Sequence, residues 1–285
     1  MKQLLILSGK GGTGKTTIAS SFIELSKAKA FADCDVEAPN LHLINRVGTK
    51  KSKPYYGMAK AYIDEDKCDN CGLCKENCRF DAIEINEKHH INPYICEGCS
   101  VCQYVCPQNA IEMIQTVDGE TTIHRDNYIF STAELKMGSG NSGHLVTEVK
   151  QQLLDNTTDE PIAIIDGSPG IGCPVIASLS GVDMVLIVTE PTLSGISDLE
   201  RILKTAKVFR VKTAVCVNKS NLNFSLTRKI EKYTLDNDIA FLGVIPYDSR
   251  VVEIINEGRT IVSEDFEVSK AIKNVYLRTM EVFFE

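Results

Sequence analysis

No stretch of this chain stays apolar for the length needed to cross a bilayer. Its opening residues, Met1-Lys2-Gln3, run straight into a strand-like segment and leave no room for a signal peptide. Neither a membrane-spanning nor an exported protein is expected, and the expected compartment is the cytoplasm. Basic residues are in deficit: 31 Lys and Arg stand against 38 Asp and Glu, for a formal net charge of −7. Neutralising a phosphate backbone takes clustered cations, so nucleic acid is not the expected partner. The C-terminal stretch from Ser269 to Glu285 carries Ile272, Val275, Tyr276, Thr279 and Phe283 on one side. It has too few basic residues to lie on a membrane surface and reads as a packing helix, so no membrane partner is expected.

What the chain does have is cysteine and a glycine-rich loop. Gly9-Lys10-Gly11-Gly12-Thr13-Gly14-Lys15-Thr16 fits G-x-x-x-x-G-K-[ST]. Residues 3–7 before it read as a buried strand, and residues 16–26 after it carry Ile18, Phe22 and Ile23 at helical spacing. That context suits a loop whose backbone amides wrap a triphosphate at a helix N-terminus. Lys15 is placed to reach the β- and γ-phosphates, Thr16 to set its hydroxyl on Mg²⁺, and Thr17 to complete the loop.

The second lysine, Lys10, narrows the reading. Lys-Gly-Gly-Thr-Gly-Lys-Thr-Thr resembles the deviant Walker A loop of MinD/ParA-type ATPases. The resemblance implies a nucleotide-dependent homodimer, or a heterodimer with a paralogue, in which Lys10 reaches the partner's phosphates. A cation supplied only on dimerisation would stabilise charge developing in phosphoryl transfer. Further on, Ala30-Phe31-Ala32 reads as a strand running into Asp33-Cys34-Asp35, which resembles the switch I segment of the same family. There the aspartate matching Asp35 orients the attacking water and approaches Mg²⁺, while Asp33 is a helper or a turn residue. Pro161–Asp166 is a buried strand ending in a carboxylate, and Gly167–Gly172 follows it. This resembles Walker B and switch II, implying that Asp166 holds Mg²⁺ through a water. The same resemblance implies that Asn218 reads the base edge, with Pro246 and Asp248 in the other base-contacting loop.

Eleven cysteines are many for a cytosolic chain, where disulfides are rare, and metal is the better account of them. Eight fall between Cys68 and Cys106. Cys68, Cys71, Cys74 and Cys78 have the spacing C-x₂-C-x₂-C-x₃-C, and Cys96, Cys99, Cys102 and Cys106 repeat it 28 residues later. The repeat continues as Ala82-Ile83 and Ala110-Ile111. Three cysteines three residues apart suit the corners of one cubane, and zinc sites rarely show the pattern. The stretch over about residues 60–115 is similar to the two-cluster bacterial ferredoxins. That resemblance implies one [4Fe–4S] cluster on Cys68, Cys71, Cys74 and Cys106, and another on Cys78, Cys96, Cys99 and Cys102. His89 and His90 link the repeats and are expected to be exposed. Cys173 is expected to be a buried small residue, and Cys34 and Cys216 to be core cysteines.

Strands alternating with helices predict an α/β, doubly wound, mostly parallel P-loop NTPase sheet. Residues 1–56 and 119–285 are expected to form it, with a small α+β dicluster ferredoxin domain inserted at 57–118. Residues 42–60 read as a polar connector, and Met137–Gly143 as a flexible loop before a helix over 144–154. The insert holds five Lys/Arg and eleven Asp/Glu, a charge suited either to steering a basic redox partner or to an ordinary solvated surface. The expected function is that of a Mg²⁺-dependent ATPase coupling nucleotide state to electron transfer through two clusters, with a redox or metallocluster client. The alternative is an ATP-dependent assembly or carrier factor for iron–sulfur centres. The missing second cysteine after Cys173-Pro174, where Ile176 stands, argues against that alternative.

Overall fold

The computed structural model describes residues 1–44, 48–85 and 88–285. The chain opens with β1 (Lys2–Ser8), β2 (Ala30–Asp33) and β3 (Thr49–Tyr56). It then builds four short strands, β4 (Lys60–Ile63), β5 (Ile83–Ile85), β6 (His89–Ile91) and β7 (Ile111–Ile114). Six more follow: β8 (Val117–Arg125), β9 (Ile129–Leu135), β10 (Ile162–Pro169), β11 (Met184–Thr189), β12 (Lys212–Asn218) and β13 (Ala240–Ile245).

Nine of these strands form one sheet in the order β13-β12-β11-β1-β10-β2-β9-β8-β3. From β13 to β9 every neighbouring pair is parallel. Central parallel strands are covered on both faces, which is why β1, β10, β11 and β12 are near-continuous apolar runs rather than alternating ones. Leu4, Ile6, Ile164 and Leu186 meet Ile18 and Phe22 of the helix Lys15–Ser26 in the main core. The helix Glu267–Phe284 adds Ile272, Val275 and Phe283 to it, as a packing helix should. No helix among the described residues is long and apolar enough to cross a membrane.

The strand order reverses around β1 and β10, which places the carboxyl ends of β1, β2, β10 and β12 in the region where open α/β sheets bind ligands. Register sharpens this. Asp166 of β10 pairs with Asp33 of β2, so two carboxylates stand side by side at adjacent strand ends.

The expectation of a plain connector over residues 42–60 gives way to β3, an edge strand of the large sheet. An edge strand is paired on one side only. It can be a strand while seven of its eight residues remain partly or fully exposed.

The chain divides into two compact units. One comprises Met1–Ser52, Thr121–Glu134 and Gly143–Glu285. The other comprises Lys53–Glu120 and Leu135–Ser142, wider than the 57–118 expected and including most of the glycine-rich loop before the helix Ser142–Asn156. Within the smaller unit β4 pairs antiparallel with β7, and β5 with β6. Each pair thus joins the start of one 28-residue repeat to the end of the other. Ala61, Ile63, Ala82, Ile83, Ile91 and Ile111 form its core together with Cys74 and Cys96.

Candidate functional site

The loop from Gly9 to Thr16 links β1 to the helix that begins at Lys15. Gly14 precedes that helix at φ 90°. A Cβ there would lie 2.3 Å from Asn218 Nδ2, so only glycine allows both the left-handed backbone and the close approach. Asn218 uses its amide on the loop: Nδ2 donates to the Thr13 carbonyl at 2.7 Å, and Oδ1 accepts from Lys219 N at 2.9 Å. Thr13 is almost fully buried, and its Oγ1 has no partner among the described residues. Gly11 is exposed beside it.

Lys15 is buried and donates to Asp166 Oδ1 at 2.5 Å, and Thr16 Oγ1 donates to Asp166 Oδ2 at 2.6 Å. Burial alone would lower the Lys15 pKa, but the carboxylates of Asp166, Asp33 and Asp35 outweigh it and raise the value. Asp33 is fully buried and accepts from the backbone amides of Asp35, Asn40 and Leu41 at 3.0, 2.9 and 2.9 Å. Of its two expected roles it fills that of the turn organiser. Burial, reinforced by Asp166, pushes its carboxyl up to about 7. Asp35 is half-buried, and its pKa is raised chiefly by burial against the pull of Lys15. Three carboxylates therefore face one ammonium. Of these, the Asp166 carboxylate with the Thr16 hydroxyl alongside is an oxygen pair of the kind that suits a hard divalent cation.

Lys10 turns back on its own chain. Its Nζ pairs with Glu190 Oε1 at 2.5 Å and reaches Ser194 Oγ at 3.2 Å. Glu190 Oε2 also takes Lys219 Nζ at 3.3 Å, and Lys219 Nζ donates to the Gly12 carbonyl at 2.7 Å. Burial would raise the Glu190 carboxyl, but the two lysines bring it below its ordinary value. Sequence reasoning passed over Glu190. The available signal was its position one residue beyond β11, at the carboxyl end of a central strand.

A cleft of about 710 Å³ adjoins the loop and is lined by Gly12, Gly14, Thr17, Asn218, Pro246 and Asp248, among others. Asp248 is held by a bidentate bond from Arg250, with Nη2 to Oδ2 at 2.5 Å. Cys173 corrects the expectation of a buried residue: it is exposed at the start of the helix Cys173–Leu179. Cys34 and Cys216 are fully buried core residues, and burial pushes both thiols up to about 12.

In the smaller unit the eight cysteines divide between two cavities. The first is lined by Cys68, Cys71, Cys74 and Cys106, and the second by Cys78, Cys96, Cys99 and Cys102. The fourth cysteine of each run faces the other run's cavity because the strand pairing joins the two repeats end to start. No three His, Cys, Asp or Glu side chains among the described residues converge on a point suited to one ion. A cubane needs no such convergence, because its four thiolates bind four different irons. The donor set of each cavity fits that group. His89 corrects another expectation: it is buried in the first cavity's wall, not exposed.

A family profile described as the CobQ/CobB/MinD/ParA nucleotide binding domain matches residues 4–261. An uncharacterised protein of Methanocaldococcus jannaschii is 34% identical over 98% of this chain and 96% of its own length. A protein of the same organism named iron-sulfur cluster carrier protein is 22% identical over 98% of this chain and 84% of its own length. Among solved structures, the septum site-determining protein MinD complexed with Mg-ADP from Pyrococcus horikoshii superposes with a TM-score of 0.59. That match has 17% identity and covers 98% of this chain and 95% of the other.

Proposed function

The chain belongs to the CobQ/CobB/MinD/ParA nucleotide-binding family, and from that premise we propose that it is an ATP-hydrolysing iron–sulfur protein whose nucleotide state governs electron transfer. The observation that carries the proposal is the sorting of eight cysteines into two four-cysteine cavities, on a chain whose nucleotide loop keeps both lysines. Two [4Fe–4S] clusters bound there supply one-electron chemistry.

The nucleotide half of the reading rests on the chain's own residues. The Gly9–Thr16 amides wrap the triphosphate at the helix N-terminus. Lys15 leaves Asp166 for the β- and γ-phosphates, a short move for a side chain already poised beneath the loop. Thr16 would hold Mg²⁺ through its hydroxyl and Asp166 through a water, with Asp35 near it, and the bound ion would neutralise charge on the phosphate oxygens. Asp35 orients the attacking water. The purine lies in the cleft beside Asn218, Pro246 and Asp248. ATP pairs two chains, and Lys10 then exchanges Glu190 for the partner's phosphates. Ser168, on the strand end after Asp166, donates to the Cys34 carbonyl between Asp33 and Asp35, a bond that ties the two switch segments to each other.

A second reading is an ATP-dependent carrier that delivers clusters to a client, and the likeness to a named iron–sulfur carrier supports it. One experiment separates the two. Anaerobically purified protein is titrated for its cluster potentials with and without Mg²⁺ and a non-hydrolysable ATP analogue. Linkage is reciprocal, so a shift of ~59 mV for one electron corresponds to ~1.4 kcal/mol of coupling. Such a shift is expected. Unchanged potentials, with loss of a cluster to an apo-acceptor on ATP turnover, would instead establish the carrier.

A further inference from the structure

The two cysteine cavities are copies of one another. Moving the first cavity's wall by 28 residues turns Ile63, Cys68, Cys71 and Cys74 into Ile91, Cys96, Cys99 and Cys102. Moving back by 28 residues, Cys106, Ala110 and Ile111 of the first wall answer Cys78, Ala82 and Ile83 of the second. Two equivalent lining positions differ in polarity, the first being Gly72 against Ser100. His89 lines the first cavity, and its counterpart in the second is Ala61.

His89 is 5% exposed. Its Nδ1 lies 2.9 Å from Asn70 Oδ1, and its Nε2 is buried with no hydrogen-bond partner among the described residues. Burying an imidazole nitrogen without a partner is unfavourable, so the orphan points to a partner the cavity's occupant would provide. Asn70 sits between the ring and a candidate ligand: its Oδ1 is also 3.7 Å from Cys68 Sγ. Once Cys68 is a thiolate it has no proton to give. A half-turn of the Asn70 amide then directs its two N–H groups at Cys68 Sγ and at His89 Nδ1. That orientation fixes the His89 tautomer that carries hydrogen on Nε2.

Resting on the reading of these cavities as cluster sites, we propose that His89 Nε2 donates a hydrogen bond to the cluster on Cys68, Cys71, Cys74 and Cys106, and thereby gives the two clusters unequal potentials. Hydrogen bonds to cluster sulfur favour the reduced, more negative state and raise the potential. The second cavity has only the Ala61 methyl at the equivalent place, so its cluster lacks this contribution. The asymmetry gives the unit a direction: electrons settle on the first cluster.

The test is a redox titration of wild type, His89→Ala and Ala61→His, each with iron and acid-labile sulfide measured first. H89A should lower one of the two potentials, changing that cluster's reduction equilibrium about tenfold, or ~59 mV for one electron. A61H should raise the other potential. Potentials that stay at wild-type values in a fully loaded H89A would overturn the proposal. If the variants do not load, wild type labelled with ¹⁵N-histidine decides: electron spin echo spectra of the reduced protein should show histidine nitrogen coupled to one cluster, and its absence is equally fatal. Wild type that holds no clusters defeats the underlying cluster reading instead, and the iron and sulfide content reports that before any potential is measured.

Discussion

Glu190 holds Lys10 on its own chain, and removing that hold should make dimers form more readily. The pair is short, at 2.5 Å, but the lysine side chain is 35% exposed, so solvent screens much of its energy. An ion pair in that setting contributes ~0.7 kcal/mol. A two-fold dimer must break two of them, for a total of ~1.4 kcal/mol, which is about a tenfold change in the equilibrium constant. Glu190→Gln removes the charge while Lys219 keeps its bond to the Gly12 carbonyl, so the loop retains its second support. Sedimentation equilibrium with Mg²⁺ and a non-hydrolysable ATP analogue should give a dimer dissociation constant about tenfold lower for E190Q than for wild type. An unchanged or higher constant would refute the latch, because it would mean that Lys10 gives up nothing when it leaves Glu190.

Three further outcomes follow from the same geometry. Lys15→Met leaves Asp166 buried without its cation, so hydrolysis should vanish and the nucleotide-free protein should lose ~3–5 kcal/mol in urea unfolding. The Asp33 carboxyl stands at about 7 in the fold against 3.8 in the unfolded chain, so its contribution is fully present below pH 4 and is lost as pH rises through 7. Without metal and nucleotide, unfolding free energy should therefore fall between pH 4 and pH 8, by at most on the order of 4 kcal/mol, and Asp33→Asn should flatten that slope. Cys78→Ser should halve the iron and sulfide content and remove the cluster held with Cys96, Cys99 and Cys102, although Cys78 belongs to the other run. Loss of the cluster on Cys68, Cys71 and Cys74 would contradict the crossed pairing.

The parts of this molecule legible in the sequence are those set by local chemistry. The loop from Gly9 to Thr16, the buried strands and the C-terminal packing helix are written in spacing and apolar runs. Asp166 was legible because a carboxylate closing a buried strand has few other reasons to be there. What stayed hidden depends on partners distant in sequence. Glu190 acquires its meaning from Lys10, 180 residues away, and from Lys219. His89 looked like a linker residue, yet it begins a strand in which it and Ile91 both turn inward. The 28-residue repeat held the clue, since Ala61 already occupied the same place in the other copy. Cys173 failed the other way: free cysteines are usually buried small residues, but its place at a helix start left it exposed.

The same misreading of β3 has a physical sequel. Its Lys50, Lys51, Lys53 and Pro54 form the basic middle of the stretch 42–60 that read as a connector. An open sheet edge is a template on which another chain can grow, and Lys and Pro are the residues that discourage such growth. The charges that disguise this strand thus guard the open edge of the sheet against aggregation.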